Sequence, residues 1–151
     1  HRAAISYDYP DGHIEYDEIE DPLPFDKEAD VIEIADEDFA LWYRDLSEEM
    51  DTYEGKTVHV KGLVARESKL GKNAVVIGRH IMTCCADDIA YSGLVCNFSA
   101  PVSLKTRDWI TVTAKISLEP HKLYGGRRGP VLYATDYAMT SAPKQEVATF
   151  Y

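Results

Sequence analysis

The residues with the clearest capacity for chemistry lie in one short stretch near the middle of this sequence. Its three cysteines are Cys84, Cys85 and Cys96, and His80 and Met82 precede the adjacent pair. Thiolate and imidazole groups together bind Zn²⁺, and a methionine beside them extends the choice to Cu(I). The candidate ligands for a zinc or copper ion are therefore Cys84, Cys85, His80 and Cys96.

The same cysteines have two other interpretations. Free cysteine is among the residue types most often buried, so packing in the core would explain the thiols without any ligand. A disulfide or redox role is the other alternative, although the odd count and the lack of C-x-x-C spacing argue against a simple disulfide framework. Adjacent side chains point to opposite faces of a strand, so Cys84 and Cys85 converge only if the strand ends there.

Polar residues on either side of the cysteine pair form a second group of candidates. Asp87 and Asp88 fall at the start of a short helical turn predicted over 86–91, where acidic side chains act as caps. Together with neighbouring side chains they could instead contact a partner or a ligand. The residues in this group are Arg79, Thr83, Asp87 and Asp88.

One helix is predicted before these residues. Apolar side chains recur at helical spacing from Phe39 to Tyr53, acidic residues begin the segment at Asp36, and Gly55 follows it. This pattern favours an amphipathic helix over 36–54 whose apolar face packs on a core. Residues 31–34, just before it, predict a short strand.

The remainder of the sequence predicts β-structure. Gly62 and Gly78 lie where strands must bend sharply, as they do in small barrels. We therefore expect a mainly β fold: a five-stranded OB-like barrel with an N-terminal helix and a short inserted helix. An antiparallel sandwich is the alternative. The five segments rich in β-branched and alternating apolar residues are 57–67, 73–85, 93–98, 109–118 and 130–138.

Charge divides the chain into two parts. Residues 1–55 contain nineteen acidic and three basic side chains, whereas residues 56–151 contain seven acidic and thirteen basic ones. We interpret residues 1–30 as an acidic extended linker and residues 31–151 as a single OB-like domain that includes its leading helix. No apolar run has the length of a transmembrane helix. Because the chain begins at His1 without a methionine, we expect a signal peptide or a membrane anchor to precede it.

Two classes of function are weak candidates. The sequence has no G-x-S-x-G, H-E-x-x-H or dinucleotide-binding fingerprint, so we expect that the protein is not an enzyme. Tyr124, Arg127 and Arg128 in a glycine-rich hairpin could contact single-stranded nucleic acid, which is an alternative function for an OB-like fold. The acidic arm would repel phosphate, however, and the domain has few surplus cations, so we expect no nucleic-acid partner.

Several motifs resemble one known family. Together with the helix before them, they resemble the soluble C-terminal domain of the YcgQ-type permease subunits over residues 31–151, and M-T-C-C-A-D is the most specific element. His80 stands where an aromatic residue is expected in that family. The motifs are R-H-I-M-T-C-C-A-D-D at 79–88, G-L-V at 93–95, W-I-x-V-T at 109–113 and G-P-V-L-Y at 129–133.

This resemblance implies a setting for the domain. Members of the YcgQ-type family are thought to carry N-terminal membrane helices and to pair with a membrane permease subunit. The resemblance therefore implies a membrane-anchored protein whose soluble domain lies on the extracytoplasmic face of the cell membrane. There it would be an accessory module that binds a partner or a ligand, with zinc or copper binding through the M-T-C-C segment as the alternative. The resemblance implies no particular substrate.

Overall fold

The structure, a computed structural model, describes residues 23–150. Most of the predicted acidic linker, residues 1–30, lies outside this range. The part that is described contacts the domain, because Phe25 is buried and the Lys27 ammonium lies 2.8 Å from the Asp45 carboxylate. The strands are β1 (Ile32–Glu33), β2 (Thr57–Ala65), β3 (Ala74–Ile81), β4 (Ala90–Asn97), β5 (Trp109–Pro120), β6 (Arg128–Thr140) and β7 (Val147–Ala148).

The predicted helix over 36–54 forms as three consecutive pieces. The α-helix α1 (Phe39–Glu48) lies between the 3₁₀ turns Asp36–Asp38 and Met50–Tyr53. Gly55 follows with a φ of 80°, a conformation that glycine adopts readily. No helix within residues 23–150 has the length and apolar character needed to cross a membrane. The buried side chains of this segment include Phe39, Trp42, Leu46 and Tyr53, as the helical spacing predicts.

All seven described strands belong to one mixed sheet. Five of them hydrogen-bond in a closed ring, in the order β2, β5, β6, β4, β3 and back to β2. Neighbours in the ring are antiparallel except β4 and β6, which are parallel. Strand β1 adds to β2 and β7 adds to β3, both in parallel. The mainly β architecture with one α-helix is therefore confirmed.

The two predicted bend glycines lie against each other where β2 passes from β5 to β3. A Cβ at Gly62 would lie 3.2 Å from the backbone nitrogen of Gly78. A Cβ at Gly78 would overlap the backbone of Ser92 and Gly93 in β4. Only glycine permits the close approach at Gly78, whereas a Cβ at Gly62 would require its neighbours to shift slightly.

The core is one cluster of apolar side chains from the ring and the helical segment. Alternate residues of β2 and β5 point into it, among them Val58, Val60, Ile110 and Val112. Trp42 and Tyr53 from the helical segment belong to the same cluster. The helix and the ring therefore share one core.

The structure differs from the sequence prediction around the cysteines. Strand β3 ends at Ile81, four residues before the predicted end, and its last two residues pair with β7. The predicted short helix over 86–91 is a single 3₁₀ turn, Ala86–Asp88, and β4 begins directly afterwards at Ala90. The early end of β3 places the cysteine pair in a turn instead of a strand.

Candidate functional site

The cysteine pair lies in a turn that begins where β3 is tied to β7. The Met82 N–H donates to the Ala148 carbonyl at 2.9 Å, and from there the chain leaves the sheet. Cys85 is extended and immediately precedes the 3₁₀ turn, with which it forms a capping box that also involves Asp88. The end of the strand removes the alternation that would have pointed Cys84 and Cys85 apart.

The carboxylate of Asp88 organises this turn. Its Oδ1 accepts a hydrogen bond from the Thr83 N–H at 2.9 Å, and its Oδ2 accepts one from the Thr83 hydroxyl at 2.6 Å. Oδ2 also accepts from the backbone N–H of Cys84 at 2.9 Å and lies 3.4 Å from that of Cys85. Four polar groups of three consecutive residues thus converge on one carboxylate, which holds the shape of the turn.

Two thiols and this carboxylate form a compact cluster. The Cys84 Sγ lies 3.7 Å from the Cys85 Sγ and 2.8 Å from Asp88 Oδ2. One ligand atom from each of the three residues falls within 4.8 Å of the others. Both cysteines are exposed. A cation can therefore reach two sulfurs and one oxygen from solvent.

Hydrogen bonding sets the protonation of the cluster. The Cys84 S–H donates to Asp88 Oδ2, and this bond, followed by the contact with Cys85, raises the pKa of the Cys84 thiol to about 11. The same bond from Cys84, together with that from the Thr83 hydroxyl, lowers the pKa of Asp88 below its usual range. Without a ligand the cluster is thus a protonated Cys84 thiol beside an ionised carboxylate.

The structure leaves two of the predicted metal ligands apart from this cluster. His80 lies on β3 with an exposed side chain, and its ring packs edge-on against Tyr91 at a centroid distance of 5.4 Å. Cys96 is fully buried in β4, where burial raises the pKa of its thiol to about 12. Of the four predicted ligands, the structure brings only Cys84 and Cys85 together.

The predicted ligand-binding group is divided in the same way. Thr83 and Asp88 contact each other in the turn, and Asp87 is exposed beside them. Arg79 instead lies in the interior with 1% of its surface exposed. Its side chain points away from solvent because alternate residues of β3 face the core.

The guanidinium of Arg79 holds two distant segments together. Its Nε donates to the Glu146 carbonyl at 3.0 Å, Nη2 to the Gln145 carbonyl at 2.7 Å, and Nη1 to the Asp36 carbonyl at 2.9 Å. Burial lowers the pKa of Arg79, an effect opposed by the charges of Asp36 and Glu146. The side chain also borders a cavity of about 530 Å³ beside the chain that leads into β7. These bonds connect the start of the helical segment to the residues just before β7.

From the sequence alone, Asp88 is a candidate for partner or ligand binding and not a candidate metal ligand beside the thiols. The signal that would have joined them is the spacing Cys85-x-x-Asp88, which is that of a capping box with cysteine in place of serine. In a capping box the acidic side chain folds back over the residues before the turn. Asp88 therefore had to lie near Thr83, Cys84 and Cys85.

Comparison with known proteins shows that the M-T-C-C-A-D segment lies inside a recognised domain. No curated protein sequence is significantly similar to this chain. Residues 13–148 match the sequence profile described as the DUF1980 C-terminal domain, a domain of unknown function. The match includes every described strand and the whole of the cysteine turn. The chain thus belongs to the DUF1980 C-terminal domain family.

Proposed function

We propose that this domain binds a thiophilic metal ion through Cys84, Cys85 and Asp88. The observation that carries the proposal is the distance of at most 4.8 Å among one ligand atom from each residue, at an exposed turn. Sulfur and carboxylate oxygen are both ordinary ligands of zinc in proteins. The carboxylate is already fixed by backbone N–H groups, so little ordering is left for the ion to impose.

The spacing of the sulfurs favours zinc over copper. Two thiolates at a Zn–S distance of about 2.3 Å in a tetrahedral site lie about 3.8 Å apart. The Cys84 and Cys85 sulfurs are 3.7 Å apart. A linear Cu(I) site would place its two sulfurs on opposite sides of the ion and would require a wider separation.

Capping of the 3₁₀ turn is the simplest alternative explanation for the same residues. It accounts for Asp88 and Thr83, whose contacts hold the backbone. It also uses the Cys85 sulfur, which accepts from the Asp88 N–H in the capping box. It does not account for the exposure of both thiols, because cysteine is usually buried. Metal binding explains both the exposed thiols and the carboxylate.

We propose the same cellular setting that the sequence resemblance implies. The domain is a non-enzymatic accessory module of a membrane permease assembly, on the extracytoplasmic face of the cell membrane. Its fold is an OB-like barrel, a proposal supported by the closed ring and by the parallel pairing of β4 and β6, the third and fifth strands of the ring along the chain. It has no nucleic-acid partner.

Metal analysis of the full chain tests the metal proposal. Protein purified without chelator and dialysed against zinc should retain about one equivalent, and Cys84→Ser and Cys85→Ser should each lose it. Cys96→Ala is the matched control, since its thiol is buried outside the cluster, and it should retain the metal. Failure of the unmodified protein to retain zinc, or equal loss in the Cys96→Ala variant, would contradict the proposal. Parallel samples with Cu(I) distinguish the two ions.

The membrane setting is tested in cells. A thiol reagent that does not cross membranes should label Cys84 and Cys85 in intact cells expressing the membrane-anchored protein, because both are exposed. The full-length protein should also co-purify from solubilised membranes with the permease subunit of its own organism. Labelling only after lysis would place the domain on the other side of the membrane, and absence of the permease would remove the proposed partner.

A further inference from the structure

We infer that a zinc ion at this site keeps one coordination position open to an external donor, so that the domain exchanges the ion instead of storing it. The inference rests on the proposed function. If the domain supplies three ligands, the fourth must come from water or from another molecule.

The described part of the chain offers three ligands for one ion. Within residues 23–150, the histidine, cysteine and acidic side chains able to share one ion are Cys84, Cys85 and Asp88. His80 packs on Tyr91 outside this cluster, and Cys96 is enclosed in the core. Structural zinc sites use four protein ligands, whereas sites with three leave the fourth position to water or to another molecule. Three ligands from residues 23–150 therefore make an open site.

The direction of the open position follows from exposure. Both cysteines are exposed and Asp88 is half-exposed, and all three lie in the turn between β3 and β4. The Asp88 carboxylate accepts hydrogen bonds from the backbone N–H groups of Thr83 and Cys84 on one side of the cluster. An ion held by the two sulfurs and this oxygen would consequently present its remaining position to solvent.

Loading the site is a simple exchange of protons for metal. Zn²⁺ replaces the proton of the Cys84 thiol, which now lies between that sulfur and Asp88 Oδ2, and the proton of the Cys85 thiol. Two protons are released to solvent, two Zn–S bonds form, and no group is oxidised or reduced. Asp88 loses one hydrogen bond but keeps those from Thr83, so the carboxylate stays in place as the ion enters or leaves.

The external donor must offer sulfur or nitrogen, the ligands that zinc accepts most readily beside thiolates. A cysteine or histidine side chain of a protein that receives the metal has this chemistry. It would first occupy the open position and then displace the thiolates one at a time. Because the donor can bind zinc before any bond to the domain is broken, we expect transfer of the ion to be fast.

Cobalt substitution tests the open position directly. Co²⁺ replaces zinc in such sites, and its visible spectrum reports both the thiolates and the fourth ligand. In the full chain loaded with Co²⁺, added imidazole should shift the d–d bands saturably while the sulfur-to-cobalt charge-transfer absorption of two thiolates remains. A spectrum that does not respond to imidazole would overturn the inference and leave metal binding intact. Failure to take up Co²⁺ or Zn²⁺ at all would instead remove the proposed function itself.

Matched variants separate the possible sources of a fourth ligand. Asp88→Asn should weaken Co²⁺ binding at least tenfold, whereas Asp87→Asn, which alters the neighbouring exposed acid, should leave it unchanged. The first 22 residues contain His1 and His13, so the double variant His1→Ala/His13→Ala is also needed. It should keep both the starting spectrum and the imidazole response. A changed starting spectrum would show that the chain closes its own site, which contradicts the inference.

Discussion

Arg79 and Asp88 are charged residues on one continuous segment, and each holds its surroundings by hydrogen bonds to backbone groups. The Arg79 guanidinium is buried and donates to carbonyls of two distant segments. The Asp88 carboxylate lies at the surface and accepts from N–H groups only three to five residues away. The buried charge therefore fixes the tertiary fold, while the surface charge fixes one turn and leaves two thiols accessible.

Arg79 and Asp88 are therefore expected to affect different properties. Arg79 should affect the stability of the fold, and Asp88 should affect ligand binding in the turn. Changes around Arg79 are expected to affect folding, because its buried guanidinium links β3 to Asp36 and to the residues just before β7. Changes around Asp88 affect a turn that solvent can reach, so the domain should stay folded when the cluster is altered. Measurements of stability and of metal binding on separate variants therefore distinguish the two roles.

Replacing Arg79 should have the largest effect on stability. Arg79→Met leaves three carbonyl groups without their donor, and we expect the free energy of unfolding to fall by about 3–5 kcal/mol. Urea denaturation measures this change. Arg127→Met, at an exposed position, is the control and should shift stability by less than about 0.5 kcal/mol. A change below about 1 kcal/mol for Arg79→Met would show that β7 is held by other contacts.

Replacing one thiol should have the largest effect on binding. Cys84→Ser removes a zinc ligand, and we expect zinc affinity to fall at least 100-fold while the urea midpoint of the metal-free protein stays unchanged. Competition with a chromophoric chelator measures the affinity. If the metal-free variant unfolds at clearly lower urea, the turn contributes to the fold and the contrast with Arg79 fails.

Removing the charge of Asp88 tests its organising role. Asp88→Asn keeps the size of the side chain but weakens its hydrogen bonds to the Thr83 and Cys84 N–H groups. We expect faster amide hydrogen exchange at these two residues, with no change in the exchange of β5. Slower or unchanged exchange in the turn would mean that the backbone holds its shape without the carboxylate.

The reactivity of each thiol should depend on its exposure to solvent. In the folded, metal-free protein an alkylating reagent should modify Cys84 and Cys85, and should modify Cys96 only after unfolding. The reactive form is the thiolate, and the pKa of Cys84 is about 11, so its rate should rise about tenfold per pH unit from pH 7 to pH 10. Mass spectrometry of the peptides gives each rate. Rapid modification of Cys96 would show that the core opens locally.

The sequence predicts the larger elements because their patterns are long. Helical spacing from Phe39 to Tyr53 and alternation in β2 and β5 identify the core faces that the structure contains. Strands β1 and β7 have two residues each and hold their places through pairing with distant strands. The segment around 31–34 predicts a strand near β1, but two residues in β7 are too few to carry a pattern. The end of β3 was also unpredictable, since Thr83 and both cysteines are compatible with a strand.

The site was predictable only in part, for a related reason. The adjacent cysteines are visible in the sequence, but which other residues join them depends on where the strand stops. If β3 continued to Cys85, the two thiols would point to opposite faces. The strand instead stops at Ile81, and its last two residues pair with β7, more than sixty positions away along the chain.

The contact between β7 and the end of β3 also sets an order of events during synthesis. The cysteine turn leaves the ribosome long before Val147 and Ala148, so the Met82 N–H meets its Ala148 partner only after residue 148 has been synthesised. The proposed metal site is therefore tied to the sheet only well after its own ligands have been made. A chain that stops before residue 147 would keep the Asp88 hydrogen bonds within the turn but would lack the Met82–Ala148 bond that anchors its base.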